Sequence, residues 1–174
     1  YAYPFTPNSW FMYYDKSKYT EEEVLSLDTM MAKDFGEGVR NFGVDINNGW
    51  YLSAFFFAGG STLFGEDGKD PTSATFNDAN GVAVANYLID LVKNPKFTDD
   101  TDNSILTDMK EGKLAAACSG TWNAATIKEA LGENYAATKL PTINLNGEEK
   151  QLSNFADFKL IGVNTLTKAP IPAM

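Results

Sequence analysis

The spacing of apolar and polar residues changes from segment to segment along the chain, and the changes predict an alternation of strands and helices. Residues 9–14 (SWFMYY) form a short aromatic and apolar run bounded by Pro7-Asn8 and Asp15-Lys16, a length that suits a buried strand better than a helix. Thr20-Glu21-Glu22-Glu23 has the pattern of a capping box, with the Thr20 hydroxyl accepting the Glu23 backbone N–H while the Glu23 side chain reaches back. Val24, Leu27, Met30 and Met31 then recur at three-to-four spacing and predict a helix running to about Asp34, broken by Gly36 and Gly38. Residues 42–46 read as a strand, and Asn47-Asn48-Gly49 turns the chain into residues 50–58. That block is apolar on every side and fits either a buried helix or a core strand; the Gly59-Gly60 stop favours the helix.

Residues 62–75 carry four charges, two glycines and a proline and read as a surface loop, with a short hairpin at Asp67-Gly68. Asn77 or Asp78 caps the next helix, whose expected inward face is Val82, Ala85, Leu88, Ile89 and Val92, and Asn94-Pro95 ends it. A helix over residues 104–111 follows, with Ile105, Leu106 and Met109 inward, then a small-residue strand over 114–118 and a helix over 122–131 stopped by Gly132. Residues 135–140 and 158–163 give two more strands, and Asn146-Gly147 between them is a strong two-residue hairpin signal. Alternation of this kind predicts an α/β fold, a layered sheet with helices packed on it; repeats and composition breaks that would mark a second domain are absent.

Composition removes several kinds of chemistry. The 174 residues include 14 Lys+Arg against 23 Asp+Glu, a formal charge of −9, so there is no basic stripe to neutralise a nucleic-acid backbone and no nucleic-acid partner is expected. With no His, imidazole-dependent serine and cysteine triads and His-based zinc sites cannot be built. Cys118, the single cysteine, has no partner for an internal disulfide. No run of residues approaches the roughly 18–20 apolar positions of a membrane helix. The opening Tyr1-Ala2-Tyr3-Pro4-Phe5 and the close Ala169-Pro170-Ile171-Pro172-Ala173-Met174 read as the cut ends of a longer chain, so the lack of a targeting segment says nothing about location.

Local motifs offer little catalysis. Glu21–Glu23 at a helix start is a solvated cap, and Asp99-Asp100-Thr101-Asp102 lacks the glycine and closing glutamate of a calcium loop counted from Asp100, which leaves a helix-capping turn. Gly36-Glu37-Gly38 and Gly59-Gly60 lack the context of phosphate-binding loops. Aromatic residues at turn-to-element junctions are more informative: Trp50 follows Asn47-Asn48-Gly49, Trp122 follows Ser119-Gly120-Thr121, and Trp10 follows Asn8-Ser9. In an α/β sheet ligands collect beyond the strand ends, where a ring can lie flat on a ligand while neighbouring amides bond its edge. A pyranose suits this combination, having an apolar C–H face and a fringe of hydroxyls. Trp10, inside the strand run, leans towards the core; for Trp50 and Trp122 core and ligand-facing positions remain equally open.

The order of segments resembles a known family. Ala2-Tyr3-Pro4, Tyr13-Tyr14-Asp15-Lys16, Ala58-Gly59-Gly60, the run Tyr87-Leu88-Ile89-Asp90-Leu91-Val92-Lys93-Asn94, Asp100-Thr101-Asp102-Asn103-Ser104-Ile105, Gly120-Thr121-Trp122 and Leu140-Pro141-Thr142 together resemble the extracellular solute-binding proteins of ABC sugar importers, above all the maltose/maltodextrin-binding family. The resemblance implies one lobe of a type II periplasmic-binding-protein-like fold: residues 1–174 as the C-terminal lobe of a two-lobe protein, excised between hinge strands, with residues 3–14 as one hinge crossing and 158–164 as another. The N-terminal lobe and the family's final helices have no counterpart.

The resemblance also implies site residues and partners. Trp122 matches an aromatic that stacks on a glucosyl ring, and Trp50 or Tyr51 falls where the family places another. Asn8 stands where an acidic hydrogen-bonding residue is common and Asn103 where an aromatic contact occurs; both depart from the pattern, though an amide can still bond a hydroxyl. The implied function is binding of a maltooligosaccharide, by stacking and hinge closure, for delivery to ABC transporter membrane subunits. No cofactor, metal or catalytic residue takes part, and the location is extracytoplasmic, either periplasmic or as a cell-surface lipoprotein. Two readings from other classes stand beside it. One is a fragment of a carbohydrate-active enzyme, which needs two carboxyl groups about 5–10 Å apart flanking the sugar. The other is a structural domain whose tryptophans are core.

Overall fold

The computed structural model describes residues 2–101 and 103–168. Alternation along β2 (Trp10–Asp15) organises the molecule, because a strand sends successive side chains to opposite faces. Trp10, Met12 and Tyr14 enter one apolar cluster, while Tyr13, with Phe11 packed beside it, enters another. The larger cluster fills the space between the sheet and α1 (Leu27–Ala32), α2 (Gly49–Ala58) and α3 (Ala79–Lys93). The smaller one lies on the other face, where Ile105 and Met109 of α4 (Ser104–Lys110) and Ile127 of α5 (Ala124–Leu131) meet Tyr13, Leu114 and Ala117. Helices thus cover both faces of the sheet.

The central sheet is mixed and has five strands in the order β4 (Phe97–Asp99), β3 (Phe42–Val44), β5 (Ala116–Gly120), β2 and β6 (Tyr135–Thr138). β3 runs parallel to β4 and β5, whereas β2 is antiparallel to both β5 and β6. Two small sheets stand apart. β7 (Thr142–Leu145) and β8 (Glu148–Gln151) form the hairpin expected at Asn146-Gly147, with both turn residues at positive φ, 55° and 88°. β1 (Ala2–Asn8) pairs antiparallel with β9 (Asp157–Gly162) as an exposed two-stranded ribbon.

Four sequence expectations need correction. The capping box forms, with the Thr20 N–H 2.8 Å from Glu23 Oε2 and the Glu23 N–H 3.3 Å from Thr20 Oγ1, but the single helix expected to run to Asp34 does not. A 3₁₀ turn at Glu23–Leu25 ends at Ser26, which is extended and bridges Thr142; its hydroxyl then accepts the Thr29 N–H and starts α1 afresh. Secondly, α3 is capped by Asp78 but turns a different face inward. Gly81, Val84, Leu88 and Leu91 are buried, while Val82, Ile89 and Val92 are half exposed, the last two flanking an open apolar hollow of about 330 Å³ with Ile46 and Leu52. This helix carries two apolar stripes, and the one that packs inward brings Val84 against the end of α2, where a Cβ on Gly59 would lie 2.5 Å from Val84 Cγ2. Thirdly, β4 was not anticipated, being three residues long and thus below any periodic signal. Finally, the strand expected over 114–118 lies two residues further on, ending at Gly120.

Ile127 is wholly buried at the centre of the smaller cluster. Ile127→Ala is expected to lower unfolding stability by about 2–5 kcal/mol in denaturant titration, while Val82→Ser, on the outward face of α3, stays within about 0.5 kcal/mol of the parent. A larger loss for Val82→Ser than for Ile127→Ala would contradict the assigned faces.

Candidate functional site: an aromatic ledge at the strand ends

Because β3, β4 and β5 are parallel, their C-terminal ends share one edge of the sheet, and β2, antiparallel to β5, begins there with Trp10 opposite Gly120. From β3 the chain crosses to β4 on one flank and then to β5 on the other, and this reversal is where open α/β sheets form crevices. Four segments meet the edge: Ser9 before β2, the turn after β3, the turn after β4 and the turn after β5.

The turn after β3 is latched to the end of β4. Asp99 accepts the Ile46 backbone N–H at 3.1 Å with one carboxylate oxygen and the Asn47 side-chain amide with the other. Asn48 then caps α2, accepting the Trp50 N–H at 3.0 Å, which sets Trp50 and Tyr51 in the first turn. Trp50 is half-buried and stacks on Phe155, the ring centroids 5.5 Å apart at 26°, with Phe57 edge-on to the same Phe155. Tyr51 is buried, only 8% exposed, edge-on to Trp10 at 4.9 Å. Burial, reinforced by Asp100 and Asp45, pushes its phenol up to about 12.

Trp122 lies in a 3₁₀ turn at Thr121–Asn123, directly after β5. The turn is stitched to the start of β2, with the Thr121 N–H donating to the Ser9 carbonyl at 2.9 Å, and the Asn123 amide donates to Ser119 Oγ at 2.9 Å. Trp122 is 49% exposed, against 2% for Trp10. Asn8 ends β1 opposite Asp157, half-buried, and its side chain bonds no other described residue. Asn103 is exposed, in the left-handed region at φ 58° at the opening of α4, and its side chain makes no capping bond.

The structure therefore brings Trp122, Trp50, Tyr51 and Asn8 around the Ser9-Trp10 corner. Asn103 shares the edge, but no contact among the described residues joins it to that group. Two residues of this corner were missed by sequence reasoning. Asn154 donates to Ser9 Oγ at 2.9 Å and to the Trp10 carbonyl at 2.7 Å, and Phe155 backs Trp50. Both sit in a short polar stretch between hairpin and strand, and a lone aromatic there carries no periodic signal.

The electrostatics of the edge are acidic. Asp100 is held above the ordinary carboxyl range by burial and, further, by Asp45 and Asp99, while the Ile105 N–H opposes the shift. Among the described residues the aromatic group forms a ledge at which Trp122 keeps about half its surface open. A hollow of about 710 Å³ lies at the opposite edge of the sheet, lined among others by Arg40, Lys96, Asp108 and Lys113, and has no aromatic platform.

Ring faces and amides gathered beyond the strand ends are the features that small-ligand sites of α/β folds use. The whole chain, residues 1–174, matches the family described as bacterial extracellular solute-binding protein, and it belongs to that family. It is 30% identical over 161 residues to the maltooligosaccharide ABC transporter solute-binding lipoprotein of Streptococcus pneumoniae (strain ATCC BAA-255 / R6), covering 86% of this chain and 38% of the relative. A structure solved with acarbose superposes with a TM-score of 0.86 and is 42% identical, over 97% of this chain and 43% of that one. The maltodextrin-binding protein MalE1 from L. casei BL23, solved without ligand, gives 0.83 at 30% identity, over 99% of this chain and 44% of the other. The chain thus spans less than half the length of these proteins.

A carboxyl held above its normal range favours the neutral form in the folded state. The resulting penalty is absent below the unfolded value of about 3.9 and complete once pH exceeds the folded value. Asp100→Asn, which keeps an acceptor for Ile105, is therefore expected to raise the melting temperature at pH 7 and to lose that advantage near pH 3. Asp15 has the opposite sign: burial raises it, but bonds from Ser17 and Lys18 win and hold it low. Asp15→Asn should lower the melting temperature at pH 7. Matching responses at the two positions would contradict this account.

Proposed function

We propose that the chain is the C-terminal lobe of a two-lobe receptor that captures a maltooligosaccharide for an ABC importer, holding the sugar without making or breaking bonds. The observation that carries this reading is Trp122, a large ring with half its surface open at the sheet edge where α/β folds take ligands, on a turn tied down at both ends. Its free face would pack on the C–H face of a glucosyl unit. Of the Trp50 and Tyr51 pair, Trp50 has the surface to offer a second unit, Tyr51 being spent on Trp10. Asn8, with an uncommitted amide, would bond a hydroxyl, and Asn103 would reach only a longer ligand from its separate place on the edge.

The exposure of Trp122 fits the same reading. An open ledge gives one side of a sugar's contacts, and an opposing lobe swung over it would supply the rest and exclude water. The β1–β9 ribbon would carry the chain across. It pairs with nothing else in the described sheets and exposes Tyr3, Phe5, Phe158, Leu160 and Ile161, an apolar surface that a two-stranded ribbon in water has no reason to keep. The closed form would then engage the transporter's membrane subunits, on the outer side of the cytoplasmic membrane, with the receptor in the periplasm or held as a surface lipoprotein. A carbohydrate-active enzyme is disfavoured because the relatives named above are solute-binding proteins.

Calorimetric titration with maltotriose tests the proposal. The intact receptor should bind at least about tenfold more tightly than residues 1–174 alone, and Trp122→Ala in the intact receptor should weaken binding by on the order of tenfold. Equal affinity of lobe and receptor would remove the two-lobe account, and unaltered binding by Trp122→Ala would remove the platform.

A further inference from the structure

Gly120 has an ordinary extended backbone, φ −70° and ψ 157°, which any residue adopts, so its conformation gives no reason for a glycine. The reason lies above it. A Cβ placed on Gly120 would fall 2.2, 2.2 and 2.3 Å from Cε2, Cζ2 and Cη2 of Trp122. Nearly equal distances to three consecutive ring atoms put that Cβ over the face of the six-membered ring; an approach at the edge would be close to one atom and further from its neighbours. The indole therefore lies flat on the Gly120 backbone, with its other face turned away from β5. Ordinary carbon–carbon contact is about 3.5–4.0 Å, so any side chain at position 120 would drive the ring off its seat by more than an ångström.

Gly120 itself cannot yield. It is buried, its carbonyl accepts the Tyr13 hydroxyl at 2.9 Å, and it sits in register with Trp10 across the sheet. The next residue is fixed to Ser9 through the Thr121 N–H. With the backbone pinned on both sides, the strain of an added methyl goes into the ring.

We propose that Gly120 is a positioning residue for the sugar platform: its bare backbone seats the Trp122 indole and so sets the height and tilt at which a glucosyl ring would stack. This rests on the sugar-binding reading above, and it goes beyond it by assigning the platform's orientation to a residue that does not touch the ligand. A platform displaced by more than about half an ångström loses register with the amides that bond the hydroxyls.

The test uses the intact receptor with Gly120→Ala, Trp122→Ala and the double variant. Gly120→Ala should weaken maltotriose binding by on the order of tenfold, and in the Trp122→Ala background the same change should move binding less than about twofold, since no ring remains to displace. Equal losses in both backgrounds, or parental affinity for Gly120→Ala, would overturn the proposal. If Gly120→Ala melts early, the double variant should recover, because the three atoms nearest the added methyl all belong to the ring; failure to recover would contradict the seat. The near-ultraviolet circular dichroism of the ligand-free protein separates this inference from the function. Gly120→Ala should alter the tryptophan bands, and the alteration should vanish in the Trp122→Ala pair even if Trp122→Ala shows that the sugar reading is wrong. Unchanged bands would overturn the seat by themselves.

Discussion

The antiparallel pairing of β2 with β5 is the constraint on which the rest depends. It sets Trp10 opposite Gly120 and so places the corner where β1 gives way to β2 beside the turn that carries Trp122. The same pairing divides the core, since Trp10, Met12 and Tyr14 face the α1–α3 layer and Tyr13 the α4–α5 layer. A one-residue slip would exchange those faces and bury Phe11 in place of Trp10. The ledge is thus a by-product of the packing: the strand that fills both cores also fixes the position of the exposed ring.

Around that corner a small set of polar contacts stands in for rigid architecture. Asp99 ties the end of β4 to the turn before α2, Ser9 accepts from Thr121, and Asn154 spans Ser9 and Trp10 just ahead of β9. Asn154 therefore joins the roots of the two ribbon strands to the turn that holds Trp122. In the proposed receptor, motion of the ribbon and placement of the platform would share this joint, which gives the hinge a physical route to the site.

Much of the fold was legible because it is written in local chemistry. The Thr20–Glu23 box, the turn at Asn47-Asn48-Gly49, the cap at Asp78, one of the two expected, the Gly59 stop and the Asn146-Gly147 turn each form as their residue types require. What was not legible is set by tertiary choice. Nothing local distinguishes the Val84–Leu88–Leu91 stripe of α3 from its Val82–Ile89–Val92 neighbour; the first is the one that packs against α2, with Val84 close on Gly59. Ser26 breaks a helix its neighbours would continue because a β-bridge to Thr142 claims it. For the site, the turn-junction rule located the tryptophans but could not say which was open. Trp10 leaned towards core and is core, and Tyr51 is buried edge-on against it by a contact between residues far apart in sequence, whereas Trp122 keeps half its surface open. Phe155 and Asn154 were invisible for the same reason.

The central claim is that one particular ring, among three tryptophans, receives the sugar. The most direct measurement is the two-dimensional ¹H–¹⁵N spectrum of the indole N–H groups in the intact receptor during a maltotriose titration, with peaks assigned by single Trp→Phe variants. The account predicts that the Trp122 resonance moves most, that of Trp50 moves less, and that of Trp10 stays close to its ligand-free position. A titration in which Trp122 stands still while the sugar binds would contradict it.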